Sequence, residues 1–292
     1  MRKVLAVGSI FIALSLFPVA GQFSWVPPAG ATGHEGQIVG GDNQTPIGNA
    51  AAVWQARGRP VARISRPDGQ CGTGFMIDQD CLLTCAHVVE GQPAANLTAE
   101  FVYQDVTAPY QRSGNVCPGA DAGCNPPEVW TTNTVQVISP STAQDCAIIK
   151  LNLKNGQHAG DAYGNVTVRA GNPVVGEKVH VIGHPDGRCK EYSHDAAAVV
   201  IALADAGCGG AGWFSHGADT EGGSSGSPVF GEDGCVIGKH CAAAPGLPVR
   251  NCAIAITAIR GAVENKGCAF KDWSTPTTTE PSTWGTVKGL FR

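Results

Sequence analysis

Three separated stretches of the chain carry residues able to do nucleophilic chemistry. The first is Thr220-Glu221-Gly222-Gly223-Ser224-Ser225-Gly226-Ser227-Pro228-Val229-Phe230, in which six small residues (222–227) lead through a Pro into an apolar pair. Gly permits backbone conformations that a Cβ forbids, so several N–H groups of such a loop can converge on one point. A hydroxyl in the middle of it is placed to attack beside an oxyanion-stabilising pocket. The plain alternative is a flexible Gly/Ser turn. A Ser hydroxyl needs a base to take its proton at neutral pH. His87, in Thr84-Cys85-Ala86-His87-Val88-Val89, is the histidine in the most constrained setting, with small residues before it and β-branched ones after. Its alternative is a satisfied buried His. Asp145 stands directly before the apolar run Cys146-Ala147-Ile148-Ile149-Lys150-Leu151, either as the acid that orients a base or as an ordinary strand-start Asp. The order His87, Asp145, Ser225 is one of the chain orders that build a nucleophilic triad.

The elements that must position these residues read as short strands. Val61–Ile64, Cys71–Ile77, Cys81–Thr84, Leu97–Tyr103, Val135–Ile138 and Ala147–Leu151 form a first group. Residues 105–128 read as a long Gly/Pro/Asn-rich loop, and 152–172 as a connection between halves. Lys178–Ile182, Ala197–Leu203, Trp213–Phe214, Val229–Phe230, Cys235–His240 and Ala253–Ile256 form a second group. Short strands with frequent turn signals suggest an all-β protein of barrels or a sandwich. One helix is expected over residues 257–265, with Thr257 as N-cap and Gly267 as the stop.

Composition narrows the class. With 292 residues, 39 of them Gly and only 15% charged, a turn-rich β protein is favoured over a helical bundle. The net charge of -4 is spread along the chain, so no basic run suggests nucleic acid. Residues 1–21 read as a signal peptide: Arg2 and Lys3, then an apolar run from Val4 to Phe17, then Val19-Ala20-Gly21. That run is short of the ~20 residues a membrane span needs. A secreted, extracellular protein without a membrane segment is expected. Residues 22–37 read as a leader or pro-segment, and residues 269–292 as a Thr/Pro-rich tail.

All 12 Cys lie after the signal, and in an exported chain this implies disulfides, with the even count allowing all to pair. Cys117–Cys124 is the one local pairing suggested. Zinc is the rival, through Cys81, Cys85 and His87 or through His240 and Cys241, but neither cluster has the paired C-x2-C spacing of a structural site. No metal and no cofactor is expected.

With these stretches assembled, the chain resembles the trypsin-like (chymotrypsin-fold) serine proteases from about Ile38 to Cys268. Three motifs carry the likeness: Gly72-Thr73-Gly74-Phe75 with Leu83–His87, then Asp145–Ile149, then Gly223-Ser224-Ser225-Gly226-Ser227-Pro228. The style is that of the bacterial glutamyl and lysyl endopeptidases, and Ile182-Gly183-His184-Pro185-Asp186-Gly187 looks especially like the latter. The resemblance implies two antiparallel six-stranded β-barrels, about 38–151 and 173–256, with a closing helix at 257–265 and the site between the barrels. It implies His87 as general base, Asp145 as its partner, Ser225 as nucleophile, and the N–H groups of Gly223 and Ser225 as the oxyanion hole. It further implies a monomer acting on protein or peptide substrates.

Substrate preference is carried by three positions. Asp219 occupies the place of the acid in trypsin's pocket and implies cleavage after Lys or Arg. Thr220 and His240 match positions that glutamyl endopeptidases use for an acidic side chain, so cleavage after Glu is the alternative. A non-catalytic homologue acting as a binding module is the reading from another class. Three departures stand out. Ile38-Val39-Gly40-Gly41 looks like the new N-terminus of a cut zymogen, yet Ser224 replaces the Asp that would receive it. Cys85 stands where Ala is usual, and Val88 where a Cys normally follows the His. Cys241 replaces a Ser near the triad Asp. Asn43, Asn96 and Asn165 head glycosylation sequons.

Overall fold

The computed structural model describes residues 36–105, 123–141, 143–244, 246 and 248–270. Residues 1–21, read above as a signal peptide, most of 22–37, most of the 105–128 stretch and nearly all of 269–292 lie outside these residues. The chain is mostly β. Its strands are β1 (Gln44–Pro46), β2 (Val61–Ser65), β3 (Cys71–Met76), β4 (Cys81–Thr84), β5 (Thr98–Phe101), β6 (Glu128–Ser139), β7 (Cys146–Leu151), β8 (Val179–Gly183), β9 (Glu191–Ser193), β10 (Val200–Leu203), β11 (Trp213–His216), β12 (Pro228–Gly231), β13 (Val236–Ala243) and β14 (Asn251–Ala255). Four short helices join them: α1 (Ala52–Gly58), α2 (Ala86–Val89), α3 (Ala159–Tyr163) and α4 (Ile256–Glu264).

Strands β2 to β7 close a six-stranded antiparallel barrel in the order β2-β3-β4-β7-β6-β5. Closure buries the apolar residues of β2, β4 and β7, among them Val61, Ile64, Leu82, Leu83, Ile148 and Ile149. Two glycines in β3 make room for this packing. A Cβ on Gly74 would lie 2.1 Å from Leu82 Cδ2, and one on Gly72 would lie 2.5 Å from Val88 Cγ1.

The second half is an eight-stranded sheet, β1-β9-β8-β12-β13-β14-β11-β10. A bridge between Lys178 and Val199, flanking β8 and β10, joins its six later strands into a second barrel. β1 and β9 extend the sheet beyond β8, with Gln44–Pro46 paired to Glu191–Ser193. The N-terminal segment therefore packs on the second barrel, although it precedes the first. β6 is longer than Val135–Ile138 because its first half alternates polar residues with buried Trp130 and Thr132.

α4 begins one residue before the expected cap. Ala255 is the N-cap, and the Thr257 hydroxyl bonds Asn172 Oδ1 at 2.5 Å instead of capping the helix. The stop is as read: Gly267 has φ +73. No described helix is long and apolar enough to cross a membrane.

The cysteines depart from full pairing. Cys81–Cys268, Cys124–Cys189 and Cys208–Cys252 are disulfides, and Cys71 is disulfide-bonded as well. Cys124 thus bonds Cys189 rather than Cys117, which lies outside the described residues. Cys85, Cys146 and Cys241 are buried and outside any disulfide. Cys85 and Cys241 lie within hydrogen-bonding reach of each other where the two barrels meet.

Candidate active site

The pairing of β4 with β7 brings the first two chemical residues together. These antiparallel neighbours place Thr84 opposite Ala147 and Leu83 opposite Ile148. The end of β4 and the start of β7 therefore share one rim of the barrel. α2 carries His87 from one strand end, and Asp145 stands one residue before the other. His87 Nδ1 lies 2.7 Å from Asp145 Oδ2, and the His87 main-chain N–H donates to Asp145 Oδ1 at 3.0 Å. Two bonds from one carboxylate fix both the ring tautomer, with its proton on Nδ1, and the ring position. Burial of Asp145 opposes its charge, but the His87 hydrogen bond and the charges of His87 and Lys239 outweigh that and hold it well below the usual carboxylate range. Its backbone has φ +48, a left-handed conformation that costs a non-Gly residue about 1–2 kcal/mol.

Ser225 belongs to the loop before β12. Gly223 (φ +81) and Gly226 (φ +95) bracket it in conformations open to Gly alone, and each is crowded besides. A Cβ on Gly223 would lie 2.6 Å from His184 O, and one on Gly226 1.9 Å from Thr73 O. The loop is fastened at several points. Thr73 N–H donates to Ser225 O at 2.9 Å, Gly226 N–H to His240 O at 2.8 Å, and Asp186 N–H to Gly222 O at 2.5 Å. The Thr73 hydroxyl donates to Gly223 O at 2.8 Å and accepts from His184 N–H at 3.0 Å. The Ile182–Gly187 motif thus forms the floor under this loop. The Ser225 hydroxyl donates to Cys241 O at 2.8 Å. Ser224 Oγ instead accepts from Glu221 N–H at 3.2 Å, and Ser227 is fully buried against Gly183, whose Cβ would meet its Oγ at 2.1 Å.

Arg188 braces the loop from the side. Its guanidinium pairs with Asp186, Glu191 and Glu221. Arg63 of β2 is nearly fully buried, pairs with Glu100 of β5, and donates to Gly187 O at 2.6 Å, tying the first barrel to the same loop.

The three positions read as pocket residues have different surroundings. Both oxygens of Asp219 accept main-chain N–H groups of the N-terminal segment, from Val39 at 2.7 Å and Asn43 at 2.8 Å. Its burial pushes the carboxyl upward despite those two bonds. Thr220 and His240 are fully buried, and Thr220 Oγ1 and His240 Nε2 have no hydrogen-bond partner among the described residues. His240 Nδ1 lies 3.3 Å from His216 Nε2. His216 escaped the sequence reading: Trp213-Phe214-Ser215-His216 reads only as a strand, and its register against Asn251 of β14 is invisible in one dimension. Burial keeps both rings neutral, pushing His216 down to about 3 and His240 well below the ordinary value.

Cys85 Sγ, His87 Nδ1 and an Asp145 carboxylate oxygen lie within 4.8 Å of one another, close enough to share a metal ion. His87 Nδ1 is committed to Asp145, and burial raises the Cys85 thiol. The donor set therefore suits a hydrogen-bonded pair better than a cation. Cys81, the other candidate zinc ligand, is in a disulfide.

Residues 72–238, more than half of the chain, match the profile of the trypsin-like peptidase domain. The chain belongs to the trypsin-like peptidase family. This trypsin-like peptidase is 27% identical over 197 residues to "Uncharacterized protein y4fB" of Sinorhizobium fredii, covering 64% of this chain and 28% of that one. It is 29% identical over 187 residues to "Secreted RxLR effector protein 73" of Plasmopara viticola, covering 61% and 43%. It spans well under two thirds of the length of either curated relative. Among solved structures it is similar to a Glu endopeptidase in complex with MPD, with a TM-score of 0.56 and 19% identity over 78% of this chain and 98% of that one. It is also similar to the active form of the Rv3671c protease from M. tuberculosis, with a TM-score of 0.53 and 20% identity over 77% and 89%. At these identities the likeness is one of fold.

Proposed function

We propose that this trypsin-like peptidase is a serine endopeptidase in which His87, Asp145 and Ser225 form the triad. The observation that carries the reading is the doubly bonded His87–Asp145 pair on the rim facing the Gly223–Gly226 loop. In the resting arrangement the Ser225 hydroxyl donates to Cys241 O. To react it turns from that carbonyl toward His87, whose Nε2 takes the proton as the hydroxyl attacks the scissile carbonyl. The carboxylate of Asp145 stabilises the imidazolium that results. The N–H groups of Gly223 and Ser225 receive the developing oxyanion, each donor worth about 3–4 kcal/mol. His87 then returns the proton to the leaving amine, and water releases the acyl group by the same route.

For the residue before the cut, the geometry supports an acidic side chain better than a basic one. Asp219 would have to answer a Lys or Arg, yet its oxygens are taken by Val39 and Asn43. The Thr220 hydroxyl and the one N–H left over by the neutral His216–His240 pair are instead donors with no acceptor among the described residues. A carboxylate satisfies such groups, and Glu is the side chain long enough to reach inward. Cleavage after Lys or Arg is the second reading; both readings need residues 36–43 to withdraw, since that segment packs on Thr220 as well as Asp219. We further propose that residues 1–21 are an export signal, that 22–37 form a removable leader, and that 38–268 is the secreted catalytic domain, acting as a monomer.

A fluorophosphonate probe tests the chemistry: it should label the mature protein and not Ser225→Ala. Absence of labelling, with no peptide hydrolysis, leaves the binding-module reading instead. Digestion of a peptide library then reads specificity directly, with cuts after Glu expected and cuts after Lys or Arg returning Asp219 to the role of recognition group.

A further inference from the structure

Beneath the His87–Asp145 pair lies a charged residue that the triad chemistry does not use. Lys239 of β13 is fully buried. Its ammonium has three N–H donors and meets three acceptors: Asp145 O at 2.8 Å, Cys85 Sγ at 2.9 Å and Cys241 Sγ at 2.9 Å. Both thiols stay out of disulfides, and both occupy positions already noted as departures from the family pattern. Cys146 flanks the same charge. A lone buried ammonium would be expelled from such a site. Burial does oppose the charge on Lys239, but Cys241, Cys85 and Asp145 overcome it and hold its pKa well above the ordinary value. Of the two sulfurs, burial and its neighbours raise Cys85, while the Cys85 hydrogen bond and Lys239 pull Cys241 toward thiolate against burial.

We propose that Lys239 is a positioning residue that pins the triad acid and sets the spacing between the two halves of the site, an inference that rests on the triad reading above. The argument is geometric. Asp145 sits at φ +48, a left-handed conformation that Asp adopts more readily than most non-Gly residues, and its backbone and side-chain groups are each tied to a partner. Its N–H is held by Pro140 O at 3.0 Å and its carboxylate by His87. Its carbonyl is held by Lys239 alone among the described residues, and that bond comes from the other barrel. On the same strand, His240 O receives Gly226 N–H and Cys241 O receives the Ser225 hydroxyl. Three consecutive residues of β13 therefore grip the acid and the nucleophile loop at once. The Cys241 sulfur keeps the lysine charged, and the lysine transmits the position of β13 to Asp145.

Lys239→Met tests this, because it keeps the chain length and removes the donors. kcat should fall about 10- to 100-fold with KM within about twofold, as expected of a small misplacement of reacting groups. The low-field proton resonance of the His87 Nδ1–Asp145 bond should shift or vanish. A double variant, Lys239→Met with Cys241→Ala, removes both partners of that contact and should stay equally slow; recovery of kcat would mean that Lys239 serves only to partner the Cys241 sulfur and would overturn the proposal. Wild-type kcat and an unmoved low-field proton in folded Lys239→Met would overturn it too. If that variant does not melt cooperatively, the wild type decides: a hydrogen-bond scalar coupling between Lys239 Nζ and the Asp145 carbonyl carbon is expected, and its absence rejects the clamp. Failure of the wild type itself to label with a fluorophosphonate would reject the triad reading rather than this one.

Discussion

Gly223→Ala separates a loop that merely turns from one that positions an oxyanion donor. At φ +81 any Cβ costs about 1–2 kcal/mol in backbone strain alone. The new methyl would also lie 2.6 Å from His184 O, 3.0 Å from Gly187 N and 3.2 Å from Asp186 N, all main-chain atoms that cannot swing aside. Restoring ordinary contact needs the loop to move by about 0.5–1 Å, which takes the residue 223 N–H out of the narrow range in which it meets an oxyanion. Losing one such donor lowers kcat by about 10²–10³-fold. The assay is kcat and KM on a chromogenic ester or peptide, normalised by active-site titration, with a melting curve on the same sample. Gly176→Ala is the control: its φ is +85 and nothing lies within 4 Å of its Cβ position. It should lose about 1–2 kcal/mol of stability and no activity. If Gly223→Ala keeps kcat within threefold of wild type, the residue 223 N–H is not an oxyanion donor.

Three further outcomes are expected. His216 is neutral when folded, with its pKa moved from 6.5 to about 3, so below pH 6.5 the unfolded chain binds a proton that the folded chain refuses. Stability therefore falls as pH drops through this window, by about 1.4 kcal/mol per pH unit, and urea midpoints at pH 7, 5.5 and 4 should show the slope flattening in His216→Gln; an unchanged slope contradicts the assignment. Lys190 is fully buried with its ammonium on Gly58 O at 2.7 Å and its pKa moved from 10.5 down to about 7. The unfolded chain holds that proton more tightly between pH 7 and 10.5, so Lys190→Met should stabilise the fold by on the order of 2 kcal/mol at pH 7, after the loss of the Gly58 bond. The gain should shrink as pH rises to 10, and a loss of melting temperature at pH 7 would count against it. Replacing Cys81 and Cys268 together by Ala opens a bridge spanning 187 residues, worth about 5 kcal/mol in chain entropy; chemical denaturation should show a loss of at least 2 kcal/mol.

Much of the site was legible because local signals and chain order agree. The apolar runs before His87 and after Asp145 are adjacent strands, and their antiparallel pairing forces the two residues to one rim. The Gly-rich loop announces its own strained backbone, realised at Gly223 and Gly226. What was missed depends on partners distant in sequence. α1 has an Ala at its N-cap and no side-chain cap, and Trp54, stacked on His180 at 3.9 Å, is what docks it. β1 and β9 are three residues each and form only by pairing, β1 on β9 and β9 on β8. Lys239 reads as an ordinary strand lysine, since nothing in Val236–His240 betrays that its head ends among three thiols. The same blindness left full disulfide pairing open. Cysteine count carries no information on which sulfurs face an ammonium rather than each other.

The bridge between Cys81 and Cys268 has a consequence for how the molecule is made. Cys81 begins β4, among the earliest strands to leave the ribosome, while Cys268 lies beyond the last helix. Domains form in the order they are synthesised, so the sulfur of Cys81 stays unmatched in the first barrel until residue 268 has been made. A chain cut short of residue 268 keeps that thiol on β4.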